Sequence, residues 1–297
     1  MKFLKNRKIT LIFLLFLLLP GFLIVASNSS LINNNALNYS LEENNFLNTS
    51  QLTEREIRVA IYNEPNTTAP SYPNTGTYSN NYSLVKSILE SAGFQVSTIT
   101  TDQIYNHELL TVSYDVFVMV DNLPREKIVN YVKEFWLGGG GILSFDSAIN
   151  YLCYAGMLPP EAAGTSGYTT YWGYVSTTSV NITLRHPVSR AHHVNETMSV
   201  SATYNWATFY WSALSTSSIK NNLHKIATKT GASNDAAVVA YDPTQGKGKV
   251  VHILMSLSNS LKNLIIDAVD WMCPRPKGRI AYDLSHSAFY GVDPWDV

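Results

Sequence analysis

At 297 residues the chain has room for one large domain with tails, and its 45% hydrophobic content is enough to bury a sizeable core. Charged residues make up only 14%, against roughly 25% in an average soluble protein, and the formal net charge is -1. No basic patch with interleaved aromatics occurs, which argues against nucleic acid as a partner, and the Ser-, Thr- and Asn-rich surface suits an exported protein.

Lys2, Lys5, Arg7 and Lys8 precede an uncharged run of 18 residues, 9–26, rich in Leu, Ile and Phe. Ala26, Ser27, Ser29 and Ser30 follow as a place for a signal peptidase to cut. The run is at the lower edge of what spans a bilayer, and Pro20-Gly21 interrupts it. Residues 1–27 therefore read as a cleaved signal peptide or an uncleaved signal-anchor, the length of the run favouring the anchor. With either, the basic end stays inside and the rest of the chain is exported, secreted or held at the cell membrane. Residues 28–56 have no clean period and read as a flexible linker. Sequons occur at Asn28, Asn38, Asn48, Asn66, Asn81, Asn181 and Asn195, against roughly five expected by chance in so Asn-rich a chain.

A folded domain is expected over 57–273. IRVAIY (57–62) predicts a buried strand, 83–92 a helix stopped by Gly93, and 94–100 a second strand. YDVFVMV (114–120) predicts a third strand, apolar throughout as expected when both faces are covered. Pro124 opens a helix whose Ile128, Val129, Val132, Phe135 and Trp136 form one buried stripe. Residues 138–148, GGGGILSFDSA, then end that helix in four glycines, run through a short strand, and put Asp146 where the strand turns into the next helix. That is the layout of an elbow that exposes one side chain above an α/β sheet. The order argues for a parallel sheet with right-handed crossovers.

The second half is less regular. Residues 168–183 read as β-structure or a decorated loop, His186-Pro187 as a turn, and 198–211 as β-prone. Residues 236–241 and 249–255 predict two strands of a hairpin joined by DPTQGKG, and 261–272 a closing helix. KGRIAYD (277–283) repeats the basic lead and apolar run of 55–62, so 274–297 is either a terminal strand with a tail or the start of a truncated second domain.

GGGGILSFDSA resembles the GGGFVGIHSA-type segments of ThuA-like proteins, in the class I glutamine amidotransferase-like superfamily. RHPVSR (185–190) resembles their HP-(I/V)-T-(K/R) segment, GKGKVVHILMS (246–256) their late GxGRV strand, and LIIDAVDWM (264–272) their closing helix. The resemblance implies a flavodoxin-like, Rossmann-like three-layer α/β sandwich with a mostly parallel sheet and β-rich additions in the second half. It also places Asp146 where the amidotransferases carry Cys and ThuA-like proteins often carry His. Acyl transfer from glutamine needs a thiolate, Cys153 lies beyond the elbow, and no His–Glu pair follows, so glutamine amidotransferase activity is excluded.

In open α/β sheets ligands bind at the carboxyl ends of the strands. The residues expected there are Asn63, Glu64, Asp121, Asn122, Asp146 and Ser147. Asp146 reads as a catalytic base or nucleophile aided by Glu64 or Asp121, or else as an N-cap of the elbow helix. His186, His192 and His193 match no zinc spacing, and neither a metal nor a cofactor is expected. Tyr168, Tyr171, Trp172, Tyr174, Trp206, Tyr210 and Trp211 read as core packing or as a stacking platform for a sugar. Cys153 and Cys273 are the only thiols, and an oxidising exterior leaves their pairing open. The functional expectation is a non-catalytic extracellular domain binding a carbohydrate or a surface protein, with a carbohydrate-directed hydrolase as the alternative.

Overall fold

The apolar runs of the first half line up as parallel strands because each is followed by a segment long enough to cross back over the sheet. The computed structural model describes residues 56–64, 78–120, 126–162, 164–200, 205–243, 246–254 and 259–273, all within the unit Thr53–Val297. The signal or anchor segment, the linker up to residue 55 and the tail 274–297 lie outside the described residues, as do Pro124 and the junction residues 121–125. No helix among the described residues is long and apolar enough to cross a membrane.

β1 (Arg58–Tyr62) lies between β2 (Gln95–Ile99) and β3 (Val116–Val120), and β3 adjoins β4 (Gly141–Phe145), all in parallel. β11 (Val250–Ile253) continues the parallel set on the far side of β4. Every residue of β3 and β4 is buried, as their unbroken apolar sequences require. Alternate residues serve opposite faces. Val116, Val118, Leu143 and Phe145 pack with α1 (Tyr78–Ser91) and α6 (Lys262–Met272). Phe117, Met119 and Ile142 pack with α3 (Val129–Leu137) and α4 (Ile149–Tyr154). Gly93 ends α1 with φ 86°, a conformation that costs a residue with a side chain, while Phe94 N–H donates to Leu89 O. One helix was not anticipated, α2 (Thr101–Tyr105), although its signature was present. Thr100 accepts from Gln103 N–H, and the Gln103 side chain accepts from Thr100 N–H, a capping box.

The expectation of a mostly parallel sheet is corrected. β10 (Ala232–Tyr241) pairs antiparallel with β11 as the expected hairpin, and β9 (Leu223–Lys229), β6 (Ser179–Ile182) and β7 (Thr197–Ser199) extend the sheet antiparallel beyond it. A side ribbon of β5 (Trp172–Ser176) and β8 (Asn205–Tyr210) joins β10 through β8. The described sheet thus has five parallel strands among eleven. The physical reason lies in the connections: β9 to β10 and β10 to β11 are joined by turns too short for a helical crossover.

The glycine run closes the seam between the two halves. A side chain on Gly140 would collide with the Phe135 ring at 2.2 Å, and one on Gly248 with Gly140 O at 1.8 Å. This bare backbone lets Gly248 N–H donate to Trp136 O (2.7 Å) while Trp136 Nε1–H donates to Gly248 O (2.6 Å). β4 and β11 therefore start side by side. Gly248→Ala should lower unfolding free energy by about 1–3 kcal/mol through overpacking against backbone that cannot yield, measured by urea denaturation. An unchanged midpoint would show that the seam is slack.

Candidate functional site

The carboxyl ends of β1 and β4 carry most of the expected site residues. Phe145 is still extended, and Asp146 then turns to φ 47°, the left-handed region that Asp enters more readily than most residues. The chain passes through the 3-10 turn Asp146–Ala148 into α4. The strained strand-to-helix elbow foreseen from sequence is present. Its side chain, however, is not presented to solvent, for Asp146 is only 1% exposed. The N-cap reading is corrected as well: the cap position is Phe145 for the 3-10 turn and Ala148 for α4. The left-handed turn instead brings the carboxylate to β8, where Ala207 N–H donates to Asp146 Oδ1 at 3.1 Å.

The same residue of β8 is held from its other side. His252 on β11 is fully buried, and its Nε2 lies 3.3 Å from Ala207 O. A carbonyl only accepts, so this nitrogen carries the proton and Nδ1 accepts from the Ser144 hydroxyl of β4 at 2.9 Å. Ser144 and His252 are register partners across β4 and β11. The Phe209 ring packs edge-on to the imidazole at 5.4 Å. Burial pushes the His252 pKa down to about 4, partly opposed by its bond to Ala207, so the ring is neutral at physiological pH. Sequence reading missed Ser144 and His252. The signal was one polar residue inside each of two apolar strands, ILSF and VVHI.

Ser147 is buried and shares a hydrogen bond of 2.9 Å with the Tyr174 hydroxyl. The Tyr174 ring is 6.0 Å from Tyr168 and 5.5 Å from Trp172. Trp172 and Trp206 are wholly buried, as core packing, whereas Tyr168 is 45% exposed. Of the seven expected aromatics, the elbow therefore leads outward through Tyr174 to Tyr168. Two strands away, Thr101 donates to Glu64 Oε2 (2.9 Å), and the Tyr62 and Thr101 hydroxyls share a bond of 2.6 Å. Asn63 prolongs β1 by donating its N–H to Ile99 O (3.0 Å). Among the described residues the buried Tyr151 hydroxyl has no hydrogen-bond partner, and burial first, then Tyr62 and Tyr154, raises its pKa. Asp121 and Asn122 lie outside the described residues.

The three histidines near the HP turn do not converge. His186 accepts from Val188 N–H and stacks on His224 at 4.9 Å, and its pKa falls to about 4 through burial first, then His224 and Lys249, against the pull of Asp242. His192 instead bonds Glu196 at 2.8 Å, and His193 is exposed. Among the described residues no group of three or more His, Cys, Asp or Glu side chains could hold a metal ion. The RHPVSR segment docks on α6 through Arg190, which pairs with Asp267 (2.6 Å) and Asp270. The Cys153 thiol is buried and donates to Pro159 O, in the core cluster opposite the one that Cys273 packs against, and the two do not pair with each other.

No protein-family model matches the chain, and no curated protein does. Among solved structures, the chain is similar to a ThuA-like protein from Bacteroides uniformis ATCC 8492, with TM-score 0.50 and 10% identity over 73% of this chain and 91% of that one. A ThuA-like protein from Parabacteroides merdae ATCC 43184 gives TM-score 0.48 and 13% identity over 76% and 93%. The β-galactosidase of Rahnella sp. R3 gives 0.49 and 16% over 74% of this chain but 32% of the enzyme. The first of these supports the fold and nothing more: the chain has the α/β fold of that ThuA-like protein.

Two outcomes follow from the Ala207 contacts. Asp146→Ala should cost about 1–3 kcal/mol by leaving the Ala207 N–H unsatisfied, and Asp146→Asn much less, since its amide oxygen still accepts and Asn tolerates φ above zero. Equal losses in chemical denaturation would refute this role. The second concerns acid. A histidine with a folded pKa below its unfolded value of about 6.5 contributes stability that is complete above that value and is lost as pH falls through 4. His252 alone should remove about 3 kcal/mol by pH 4, and His252→Asn should flatten the fall in melting temperature between pH 7 and pH 4. A wild-type melting temperature independent of pH over that interval would contradict it.

Proposed function

We infer that the chain is an exported or membrane-anchored, non-catalytic binding protein whose folded domain is a three-layer flavodoxin-like sandwich. The observation that carries the non-catalytic reading is the fate of Asp146. A general base or nucleophile must reach the atom it attacks, yet this carboxylate is buried and accepts from the Ala207 backbone. Asp146 then stands where amidotransferase-like proteins carry their nucleophile, and the elbow geometry outlives the chemistry as a structural clasp. The hydrolase reading needs an exposed carboxylate pair. Glu64, the described partner nearest that requirement, is bonded to Thr101 on the far side of β3.

The ligand surface is the carboxyl-end crevice of Asn63, Glu64, Asp121 and Asn122, with the buried Asp146 and Ser147 behind it and Tyr168 and Tyr174 as its aromatic wall. A tyrosine ring offers an apolar face to a sugar or to a partner protein and a hydroxyl for orientation. The basic lead and apolar run of residues 1–27 support export, with membrane contact through that segment alone. No cofactor is needed.

The test uses the full chain in detergent against a panel of mono- and oligosaccharides and their aryl glycosides. A ligand at 100 times its dissociation constant should add about 2.7 kcal/mol to stability, visible as a shifted melting curve. The shift should persist in Asp146→Asn, disappear in Tyr168→Ala, and come without release of the aryl group. Turnover that Asp146→Asn abolishes without unfolding the protein would establish an enzyme instead.

A further inference from the structure

Seven sequons run through the chain, and the fold treats the described ones differently. Asn181 lies within β6, half-buried, with its side-chain oxygen accepting from the Thr197 (2.8 Å) and Thr230 (3.0 Å) hydroxyls. A saccharide there would have to lie among those side chains. Asn195, in the sequence Asn195-Glu196-Thr197, is exposed at the end of the connection between β6 and β7, two residues before β7 begins. Its φ of 71° is one that Asn adopts with little cost. The turn beneath it is rigid: Asn195 N–H donates to Ile182 O (2.8 Å), Glu196 N–H to His193 O (3.0 Å), and Glu196 holds both the His192 ring and the His193 N–H.

The surroundings of Asn195 also call for cover. β7 is the outermost strand of the described sheet on its side, and Ser260 donates to Ser199 O (2.6 Å) near its end. The same connection exposes two apolar side chains, Leu184 at 37% and Val194 at 47%. A hydrated, bulky group attached one residue from Val194 would shield that apolar side chain.

We propose that Asn195 is an N-glycosylation site, the acceptor of an oligosaccharide from a lipid-phosphate-linked donor outside the cytoplasm; this rests on the export reading. Asn195 Nδ2 forms the new bond to the anomeric C1 of the donor sugar. The C1–O bond breaks, the lipid phosphate leaves with its electron pair, and Nδ2 gives up one proton to a base of the transferase. Thr197, the hydroxyl residue of the sequon, is exposed two residues from Asn195, and its hydroxyl donates to Asn181 in a surface bond.

The experiment is fractionation of cells that make the full chain naturally, then proteolysis and mass spectrometry of the recovered protein. The expected result is recovery from membranes or medium, with a saccharide mass on the peptide carrying Asn195, none on that carrying Asn181, and loss of the adduct in Asn195→Gln. Recovery outside the cytoplasm with Asn195 bare overturns the glycan site and leaves the export reading standing. Recovery in the cytoplasm alone overturns both.

Discussion

Ala207 has no polar side chain, yet its backbone joins three parts of the sheet that the chain visits at distant times. Its N–H is taken by Asp146 at the end of β4 and its C=O by His252 of β11, which is steadied by Ser144 of β4. These bonds stand in for a strand ladder. Tyr174 faces Ala207 on the β5 side, and among the described residues no strand pairs with the opposite edge of β8 along this stretch. Buried backbone groups without partners are costly, so the side ribbon can rest against the parallel strands only because side chains supply the missing donors and acceptors. Low local dielectric makes such a network strong when complete and expensive when broken.

Everything at the candidate site follows from that arrangement. The ribbon brings Tyr174 to Ser147 and so sets an aromatic wall beside the elbow. The carboxylate at the elbow is the one that holds the ribbon. An elbow can thus keep its strained backbone while its side chain is used for packing. The neutral, buried His252 completes this picture, because burial disfavours a charged ring at that place.

The glycine seam works toward the same end from the opposite edge of the strands. Gly140 and Gly248 approach closely enough for Trp136 to bond the backbone of Gly248 twice, which sets β11 beside β4 and so brings His252 level with Ser144. A shift of one residue in that pairing would turn His252 to the other face. The seam at one end and the clasp at the other therefore depend on a single register.

The parallel half of the sheet, the stop at Gly93, the hairpin of β10 and β11 and the elbow at Asp146 were all legible in the sequence, since each rests on local periodicity, a turn or a glycine. Asn63, Glu64 and Ser147 were rightly placed at strand ends for the same reason. The antiparallel extension was not legible: β9, β6 and β7 are short, mixed in polarity and paired with strands far away in sequence. Nor was the role of Asp146, because an acidic residue after a strand looks the same whether it faces solvent, caps a helix or meets a backbone amide 61 positions later. Local pattern determined the elements and their order. Only the tertiary structure decided which buried donors and acceptors met, because a hydrogen bond between distant strands leaves no period in the chain.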